Sequence, residues 1–306
     1  MFYMESLLYP PFLNPGDRVI MVSPSSRIEK KLIDKAKERM ESWGLKVTLS
    51  KHVDSSFNHY AGTEEDRKRD FQEAMDNKKY KAILCTRGGY GAIHLIDQLD
   101  FTEFKKHPKW LIGYSDITAL HACFNKEGYA TLHSPMAKHL AMAPQNEFSL
   151  LYLKGILQGK LPNYSCCAHS LNRLGKVKGI LRGGNLSVLG ALQGTPYAIT
   201  AQETILFVED VGEHLHSIER LFYNLKYSGV LDQLAGLIIG QFSSESESGL
   251  LEKRVYQMLS NFLTPYSFPV CYSFPIGHTE LNYPVICGSK VELNVEKERV
   301  TLSFLS

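Results

Sequence analysis

The 306-residue chain has 44% apolar and 22% charged residues, proportions typical of a soluble globular protein with a sizeable core. Its net charge of +2 provides no basic surface for nucleic acid or an anionic membrane, so we expect neither as a partner. No apolar run approaches the roughly 18 to 20 residues of a membrane span. The start, MFYMESLLYPPFLNPGDRVI, lacks the basic region and the cleavage site of a secretory signal, so we expect none.

The cysteines indicate a reducing compartment. None of them forms a Cys-x-x-Cys pair, and several lie in apolar runs, which favours free thiols over disulfides or zinc ligands. The six are Cys85, Cys123, Cys166, Cys167, Cys271 and Cys287. We therefore predict a cytoplasmic location.

The first half alternates strands with helices, a pattern typical of a parallel sheet with helices on both faces. Ser25 or Ser26 is expected to cap the first helix, and Thr63 with Asp66 forms a capping-box pattern at the second. A short helix is expected around 92–99. The predicted strands are 17–23, 45–49, 80–86, 110–113 and 129–133.

The composition divides the chain into an α/β domain (1–160), a polar linker (161–176) and a smaller α+β domain (177–306). The last domain is predicted to end in a hairpin that turns near 296–298. The segment 243–249, SSESESG, is predicted to be a flexible loop. The other strands predicted in this domain are 177–181, 204–208, 235–240, 269–272 and 285–286, with helices around 214–226 and 249–262.

Residues 109–120, KWLIGYSDITAL, have the layout of a nucleophile elbow, in which a sharp strand-to-helix turn exposes a serine hydroxyl. Ser115 occupies the turn, and Asp116 is expected to cap the following helix. The usual second glycine is replaced by Ile117. An ordinary strand-end turn with Ser115 as a helix cap fits the same pattern.

A glycine-rich stretch, Thr86–Gly91 (TRGGYG), directly follows a predicted strand. Its spacing matches neither phosphate-binding glycine motif, so we favour a loop that supplies an oxyanion donor opposite the amide of Asp116. A turn required only for packing is the alternative. Arg87 is either a surface charge or the partner of a substrate carboxylate.

Two stretches of the second half carry candidate partners for Ser115. Glu209 directly follows an apolar strand and is expected to orient a histidine, although a solvated acidic helix start also fits. His278 follows a glycine turn and is the best-placed histidine, with His121 and His133 as competitors. Asn185, after the glycines of LRGGN, is a candidate helix cap or substrate contact.

Taken together, five motifs in order along nearly the whole chain resemble the LD-carboxypeptidase family. That family includes cytoplasmic muramoyltetrapeptide carboxypeptidases and microcin C immunity peptidases. The motifs are TRGGYGA (86–92), GYSDITAL (113–120), LRGGNLSVL (181–189), VED (208–210) and PIGHT (275–279).

The resemblance implies a serine peptidase with the triad Ser115, Glu209 and His278 and an oxyanion hole from the backbone of Gly89 and Asp116. It implies a flavodoxin-like N-terminal half, a C-terminal domain of swivelling type, a homodimer and an active site in the cleft between the domains. Such a triad needs no cofactor and no metal. Two departures, Ser134 in His-Ser-Pro and Arg182 before the second glycine pair, leave the triad intact.

The implied reaction is the release of the terminal D-alanine from a murein tetrapeptide in peptidoglycan recycling. A microcin C immunity-type hydrolase of peptidyl-nucleotide amides is the alternative. An adenine-binding platform in the second domain would distinguish the two, and both tryptophans, Trp43 and Trp110, lie in the first half. A non-catalytic ligand-binding protein and a metal hydrolase built on Glu209 and Asp210 are further alternatives. Asp210 and Glu213 could also form a metal site with His214 or His216, although no tight ligand motif supports it.

Overall fold

The structure is a computed structural model that describes residues 7–244 and 250–305. Within these residues, the strands are β1 (Arg18–Val22), β2 (Lys46–Leu49), β3 (Tyr80–Cys85), β4 (Trp110–Gly113), β5 (Thr131–His133), β6 (Asn163–Cys167), β7 (Gly175–Asn185), β8 (Thr204–Val211), β9 (Gly236–Ser243), β10 (Val270–Tyr272), β11 (Val285–Cys287), β12 (Lys290–Val295) and β13 (Arg299–Phe304). The helices are α1 (Lys30–Glu41), α2 (Glu64–Asp76), α3 (Thr102–Lys106), α4 (Thr118–Lys126), α5 (Ala137–Met142), α6 (Phe148–Leu157), α7 (Leu186–Leu192), α8 (Leu215–Tyr227) and α9 (Leu250–Phe262).

The chain divides into two units, which we describe separately. Of the described residues, the N-terminal unit comprises 8–161 and 283–285, and the C-terminal unit comprises 7, 162–244, 250–282 and 286–305. The mixed α/β class predicted from the sequence is confirmed, with two sheets and helices on both faces.

The sheet of the N-terminal unit has the order β11-β5-β4-β3-β1-β2. The pairs from β5 to β2 are parallel, as the alternation of strands and helices predicted. Phe124 of α4 is fully buried and packs edge-on against Phe71 of α2, with ring centroids 6.2 Å apart. The core of this unit therefore includes a contact between α2 and α4, which are distant in the sequence.

The helix starts of the N-terminal unit only partly follow the sequence. The capping box of Thr63 and Asp66 is present at α2. The helix after β1 begins at Lys30, directly after Glu29. Ser25 and Ser26 do not cap it, because Oγ of Ser25 donates to Asp116 and Oγ of Ser26 accepts from the N–H of Tyr90. The helix predicted at 92–99 is only a 3-10 turn at 92–94, where the N–H of Leu95 bonds to the Ala92 carbonyl.

The sheet of the C-terminal unit has the order β10-β9-β8-β7-β12-β13-β6. Strands β7 to β10 pair in parallel, whereas β7–β12, β12–β13 and β13–β6 are antiparallel. The hairpin predicted near 296–298 is confirmed by the β12–β13 pair. The core of the C-terminal unit lies where α7, α8 and α9 cover the parallel strands, and Leu206, Phe222 and Leu259 are fully buried there.

Three expectations for the C-terminal domain were wrong. Residues 285–286 were predicted to be one of its strands, but β11 lies next to β5 in the other sheet. Residues 163–167 of the predicted linker form β6, because their backbone pairs with β13 in spite of their polar composition. The glycines of LRGGN are not a turn but continue β7 in extended form. A methyl group at Gly183 would lie 1.9 Å from the Phe207 carbonyl oxygen, so the close parallel pairing with β8 requires glycine there.

Two further predictions concern the loop at 243–249 and membrane-spanning helices. Residues 245–249 of the predicted flexible loop lie outside the described residues. In the part of the chain that the structure does describe, no helix combines the length and the apolar character needed to cross a membrane.

Candidate active site

Ser115 lies in a strained turn between β4 and α4. Its φ of 65° places a non-glycine residue in the left-handed region, which costs about 1 to 3 kcal/mol and is typical of functional turns. A 3-10 turn at Ser115–Ile117 follows and leads directly into α4. The geometry is that of a nucleophile elbow, in which strain holds the serine hydroxyl exposed at the end of a strand.

The residues around Ser115 explain how the turn is formed without the usual second glycine. Ile117 is fully buried, and its side chain packs over Gly113 at the end of β4. A methyl group at Gly113 would lie 3.0 Å from Cγ1 of Ile117. The isoleucine is therefore accommodated because the glycine before the serine leaves space for it.

The glycine loop (residues 86–92) packs directly against Ser115. A methyl group at Gly88 would lie 2.8 Å from Cβ and 3.0 Å from Oγ of Ser115. It would also lie 3.2 Å from the backbone nitrogen of Asp116. Only glycine allows the loop to approach the serine this closely, as expected for a loop that supplies an oxyanion donor.

The side chain of Asp116 does not cap α4 as expected. It is 4% exposed, and its Oδ2 accepts hydrogen bonds from Oγ of Ser25 at 2.6 Å and from the N–H of Ala92 at 2.8 Å. The carboxylate is thereby drawn away from the helix end. The N–H of Asp116 lies in the first turn of the 3-10 segment, where backbone donors have no partner within the helix.

The candidate orienting pair lies in the C-terminal unit. Nδ1 of His278 and Oε2 of Glu209 are 2.7 Å apart, and Glu209 is fully buried. Burial opposes protonation of His278, but the charge and hydrogen bond of Glu209 outweigh it and raise the pKa of His278 above its ordinary value of 6.5. This pair has the geometry in which a carboxylate fixes a histidine tautomer and leaves Nε2 to act as a base.

Local backbone features bring these two side chains together. The register between β8 and β9 shifts around Glu209, which is a bulge of the kind that redirects a side chain. Gly277 has a φ of +136°, and a methyl group there would lie 3.1 Å from Cβ of Glu209. The glycine turn therefore lets His278 reach the carboxylate.

Asp210, which directly follows Glu209, holds the start of α7. Its Oδ1 accepts from Nδ2 of Asn185 at 2.9 Å, and its Oδ2 accepts from the N–H and Oγ of Ser187 at 2.9 and 2.6 Å. Burial raises the pKa of Asp210 to about 6, although the hydrogen bond from Ser187 acts in the opposite direction. Because protein donors occupy both carboxylate oxygens, Asp210 has little capacity left for a metal ion.

The other predicted contacts have ordinary structural partners. The side chain of Asn185 caps α7 by accepting from the N–H of Val188 at 3.2 Å. Arg87 is exposed and donates to the Arg27 carbonyl at 2.7 Å. Among the described residues, no group of three or more His, Cys, Asp or Glu side chains is arranged to hold a metal.

The competing histidines and Ser134 are buried, and Arg182 is partly buried. Nε2 of His121 donates to the Gly113 carbonyl at 2.8 Å. Burial lowers the pKa of His121 to about 4. His133 and Ser134 are fully buried. Burial also lowers the pKa of Arg182. Of these, His121 is held by the backbone of β4 and is a structural residue.

Sequence reasoning missed three buried side chains that contact Asp116 or the glycine loop, namely Ser25, Ser26 and Arg67. The serines were expected to be helix caps. Arg67 shares the buried face of α2 with Phe71 and Ala74, and it is only 2% exposed. A charged residue on an apolar helix face is the signal that identifies it.

Comparisons with known proteins agree with the motifs. Residues 19–134 match the LD-carboxypeptidase N-terminal domain, and residues 178–293 match the LD-carboxypeptidase C-terminal domain. A probable murein peptide carboxypeptidase of Bacillus subtilis (strain 168) is 32% identical over 306 residues, covering 97% of this chain and 95% of that protein.

Two solved structures are also similar. The muramoyltetrapeptide carboxypeptidase of Oxalobacter formigenes has a TM-score of 0.85 and 27% identity, over 94% of this chain and 99% of that one. A mutant of the microcin C7 self-immunity protein MccF, in complex with adenosine monophosphate, has a TM-score of 0.87 and 25% identity, over 98% of this chain and 100% of that one. The two domain matches and the identity over the full length show that the chain belongs to the LD-carboxypeptidase family.

Proposed function

We propose that the chain is a serine peptidase that releases the terminal D-alanine from murein tetrapeptides, with Ser115 as its nucleophile. The observation that carries this proposal is the strained turn at Ser115, whose φ of 65° is maintained directly against Gly88. Such strain persists only where the surrounding structure imposes it, and it is typical of catalytic turns. The pair of His278 and Glu209 supplies the base and its orienting carboxylate.

In the proposed mechanism, Oγ of Ser115 attacks the scissile carbonyl carbon while Nε2 of His278 takes the hydroxyl proton. Glu209 keeps the proton on Nδ1 and stabilises the imidazolium. The N–H groups of Gly89 and Asp116 bind the tetrahedral oxyanion, and each such donor contributes about 3 to 4 kcal/mol.

The remaining steps regenerate the enzyme. Cleavage of the C–N bond transfers the histidine proton to the amine of the departing D-alanine and leaves an acyl ester on Ser115. Water then attacks this ester while His278 takes one of its protons. The bond between the acyl carbon and Oγ breaks, His278 returns the proton to Oγ of Ser115, and the shortened peptide leaves with a free carboxylate. All groups required are side chains or backbone donors, so the mechanism uses no cofactor.

The substrate class is supported by the relatives. The Bacillus subtilis protein is a probable murein peptide carboxypeptidase, and the Oxalobacter formigenes protein is a muramoyltetrapeptide carboxypeptidase. A carboxypeptidase must recognise a free terminal carboxylate, for which a guanidinium is well suited. Arg87, which is exposed and adjoins Gly88, is our candidate for that contact, and Asn185 at the start of α7 is a further one.

A microcin C immunity-type hydrolase is the second candidate, supported by the structural similarity to MccF at a TM-score of 0.87. A nucleotide substrate would gain from an aromatic surface on which its base could stack. Trp110 does not offer one, because it is fully buried and stacks on Phe12 with ring centroids 5.8 Å apart. We therefore place the murein peptide first.

A substrate panel followed by mass spectrometry tests this function. We expect release of D-alanine from the tetrapeptide with a free terminal acid and no cleavage of the pentapeptide or the all-L analogue. Amidating the terminus should lower kcat/KM, because it removes the negative charge with which the guanidinium would pair. Cleavage of a peptidyl-adenylate amide alone would favour the immunity-type reaction, and cleavage of none would refute the proposed substrate class.

The resemblance also implies a homodimer in the cytoplasm, and both remain predictions. Sedimentation of the purified protein tests the first. Fractionation of the source cells tests the second.

A further inference from the structure

Two loops of the N-terminal unit are joined beside the elbow. The first is the serine loop (residues 24–26), which follows β1, and the second is the glycine loop (residues 86–92), which follows β3. The N–H of Ser26 donates to the Gly88 carbonyl at 3.2 Å, and Oγ of Ser26 accepts from the N–H of Tyr90 at 3.2 Å. These two hydrogen bonds link the serine loop to the glycine loop.

The carboxylate of Asp116 connects both loops to the residue after the nucleophile. A single oxygen, Oδ2, accepts from Oγ of Ser25 in the serine loop at 2.6 Å and from the N–H of Ala92 in the glycine loop at 2.8 Å. Asp116 is 4% exposed, and hydrogen bonds to a charged acceptor in such surroundings are strong.

Arg67 of α2 contacts the same two loops. Its Nη1 donates to the Pro24 carbonyl at 2.6 Å and to the Gly91 carbonyl at 2.8 Å. The guanidinium carbon lies 4.9 Å from the centroid of the Tyr60 ring, which fixes its orientation. A methyl group at Gly91 would lie 2.7 Å from Nη1, so the loop packs directly on the guanidinium.

We propose that the carboxylate of Asp116 is a positioning group that holds the glycine loop, which Arg67 also contacts, at the distance from Ser115 required for an oxyanion hole. This rests on the proposed function, in which Gly89 and Asp116 donate backbone N–H groups to the oxyanion. Asp116 thus has two roles, one through its N–H and one through its side chain. The second role can be tested alone because a substitution of the side chain retains the N–H.

The test compares Asp116→Ala with Asp116→Asn on the murein tetrapeptide. Alanine removes the acceptor for both loops, whereas the amide oxygen of asparagine can still accept both hydrogen bonds. We expect alanine to lower kcat about 100-fold, as an active-site displacement of about 1 Å does, with KM within about threefold. The kcat of Asp116→Asn should be about tenfold or more above that of Asp116→Ala.

The matched control is Asp100→Ala. Oδ1 of Asp100 likewise accepts from a hydroxyl and a backbone N–H, those of Thr102 at 2.6 and 2.8 Å, but at an exposed site without contact to the elbow. We expect its kcat and KM to equal those of the wild type. All rates are expressed per amount of folded protein, measured by circular dichroism, so that a loss of folded protein does not count as a loss of kcat.

A second variant covers the case in which Asp116→Ala does not fold. Ser25→Ala removes one of the two bonds to Oδ2 and leaves the one from Ala92. It should lower kcat about three- to tenfold and weaken a peptide boronate, which mimics the tetrahedral intermediate, by the same factor. Binding of the intact tetrapeptide to the same variant in a Ser115→Ala background should not change.

Several results would overturn the inference. It fails if Asp116→Ala and Ser25→Ala both retain kcat within about threefold, or if both act on KM alone. A Ser115→Ala variant with wild-type turnover would refute the proposed function and this inference with it. An inactive Ser115→Ala variant beside unaffected Asp116→Ala would refute the inference only.

Discussion

The close packing of the glycine loop on the elbow makes Gly88→Ala a demanding test of the site. The new methyl group would lie 2.8 Å from Cβ of Ser115, whereas apolar carbons pack at about 3.5 to 4.0 Å. Ser115 or the loop must therefore move by about 0.7 to 1.2 Å. A displacement of this size at reacting atoms costs about 100-fold in rate, so we expect kcat on the murein tetrapeptide to fall by about that factor.

The loss is expected to come from this contact and not from the backbone, because the φ of Gly88 lies outside the left-handed region. Gly155→Ala is the matched control. It makes the same chemical change within α6, where the new methyl group would meet only Cβ of Lys160 at 3.8 Å. It should leave kcat unchanged and stabilise the helix by about 0.5 to 1 kcal/mol. Release of D-alanine is measured per amount of folded protein, and a folded Gly88→Ala variant with kcat within about threefold of the wild type would refute the reasoning.

Three further predictions follow from the C-terminal unit. In the proposed mechanism the imidazole of His278 must be neutral, and Glu209 raises its pKa, so kcat/KM should rise with pH at a midpoint above 6.5. Glu209→Gln should move that midpoint down and lower kcat about 10⁴-fold, and an unmoved midpoint in a pH–rate profile would contradict this. The folded state binds the proton of Asp210 more tightly than the unfolded state, with a pKa of about 6 against 3.8, so this group contributes stability below pH 4 that is lost as the pH rises through 6. Urea unfolding should show the wild type losing about 2 kcal/mol relative to Asp210→Asn between pH 4 and 7, and equal pH slopes would refute the assignment. Activity should survive exhaustive chelation, whereas a loss that zinc or manganese reverses would favour the metal hydrolase.

The sequence correctly predicted those elements whose residue pattern is typical of only one local structure. Buried apolar runs gave the parallel strands of the N-terminal unit, and Thr63 with Asp66 gave the start of α2. It was insufficient for α6, whose segment FSLLYLKGIL is apolar on nearly every face and therefore shows no helical period. Strand β6 was missed because a polar edge strand has no apolar alternation to reveal it.

For the site, local motifs and the family resemblance predicted which residues to consider, but not which tertiary partner each would take. Short polar side chains at strand ends fit a helix cap and a buried network equally well by sequence, which is why Ser25 and Asp116 were expected to be caps. The glycines of LRGGN look like a turn, yet the carbonyl of Phe207 on a neighbouring strand is what requires them. His278 and Glu209 are 69 positions apart in the sequence, and their contact depends on the register shift between β8 and β9. No local sequence pattern predicts that shift.

The central claim is that Ser115 is the nucleophile, and the turnover of Ser115→Ala on the murein tetrapeptide tests it most directly. We predict a loss of at least about 10³-fold in kcat, as for removal of the nucleophile from other triads. The melting temperature should change little, because the side chain is half-buried and its proposed role is chemical. A folded variant that retains more than about a tenth of the wild-type turnover would contradict the account, since removal of a nucleophile costs far more.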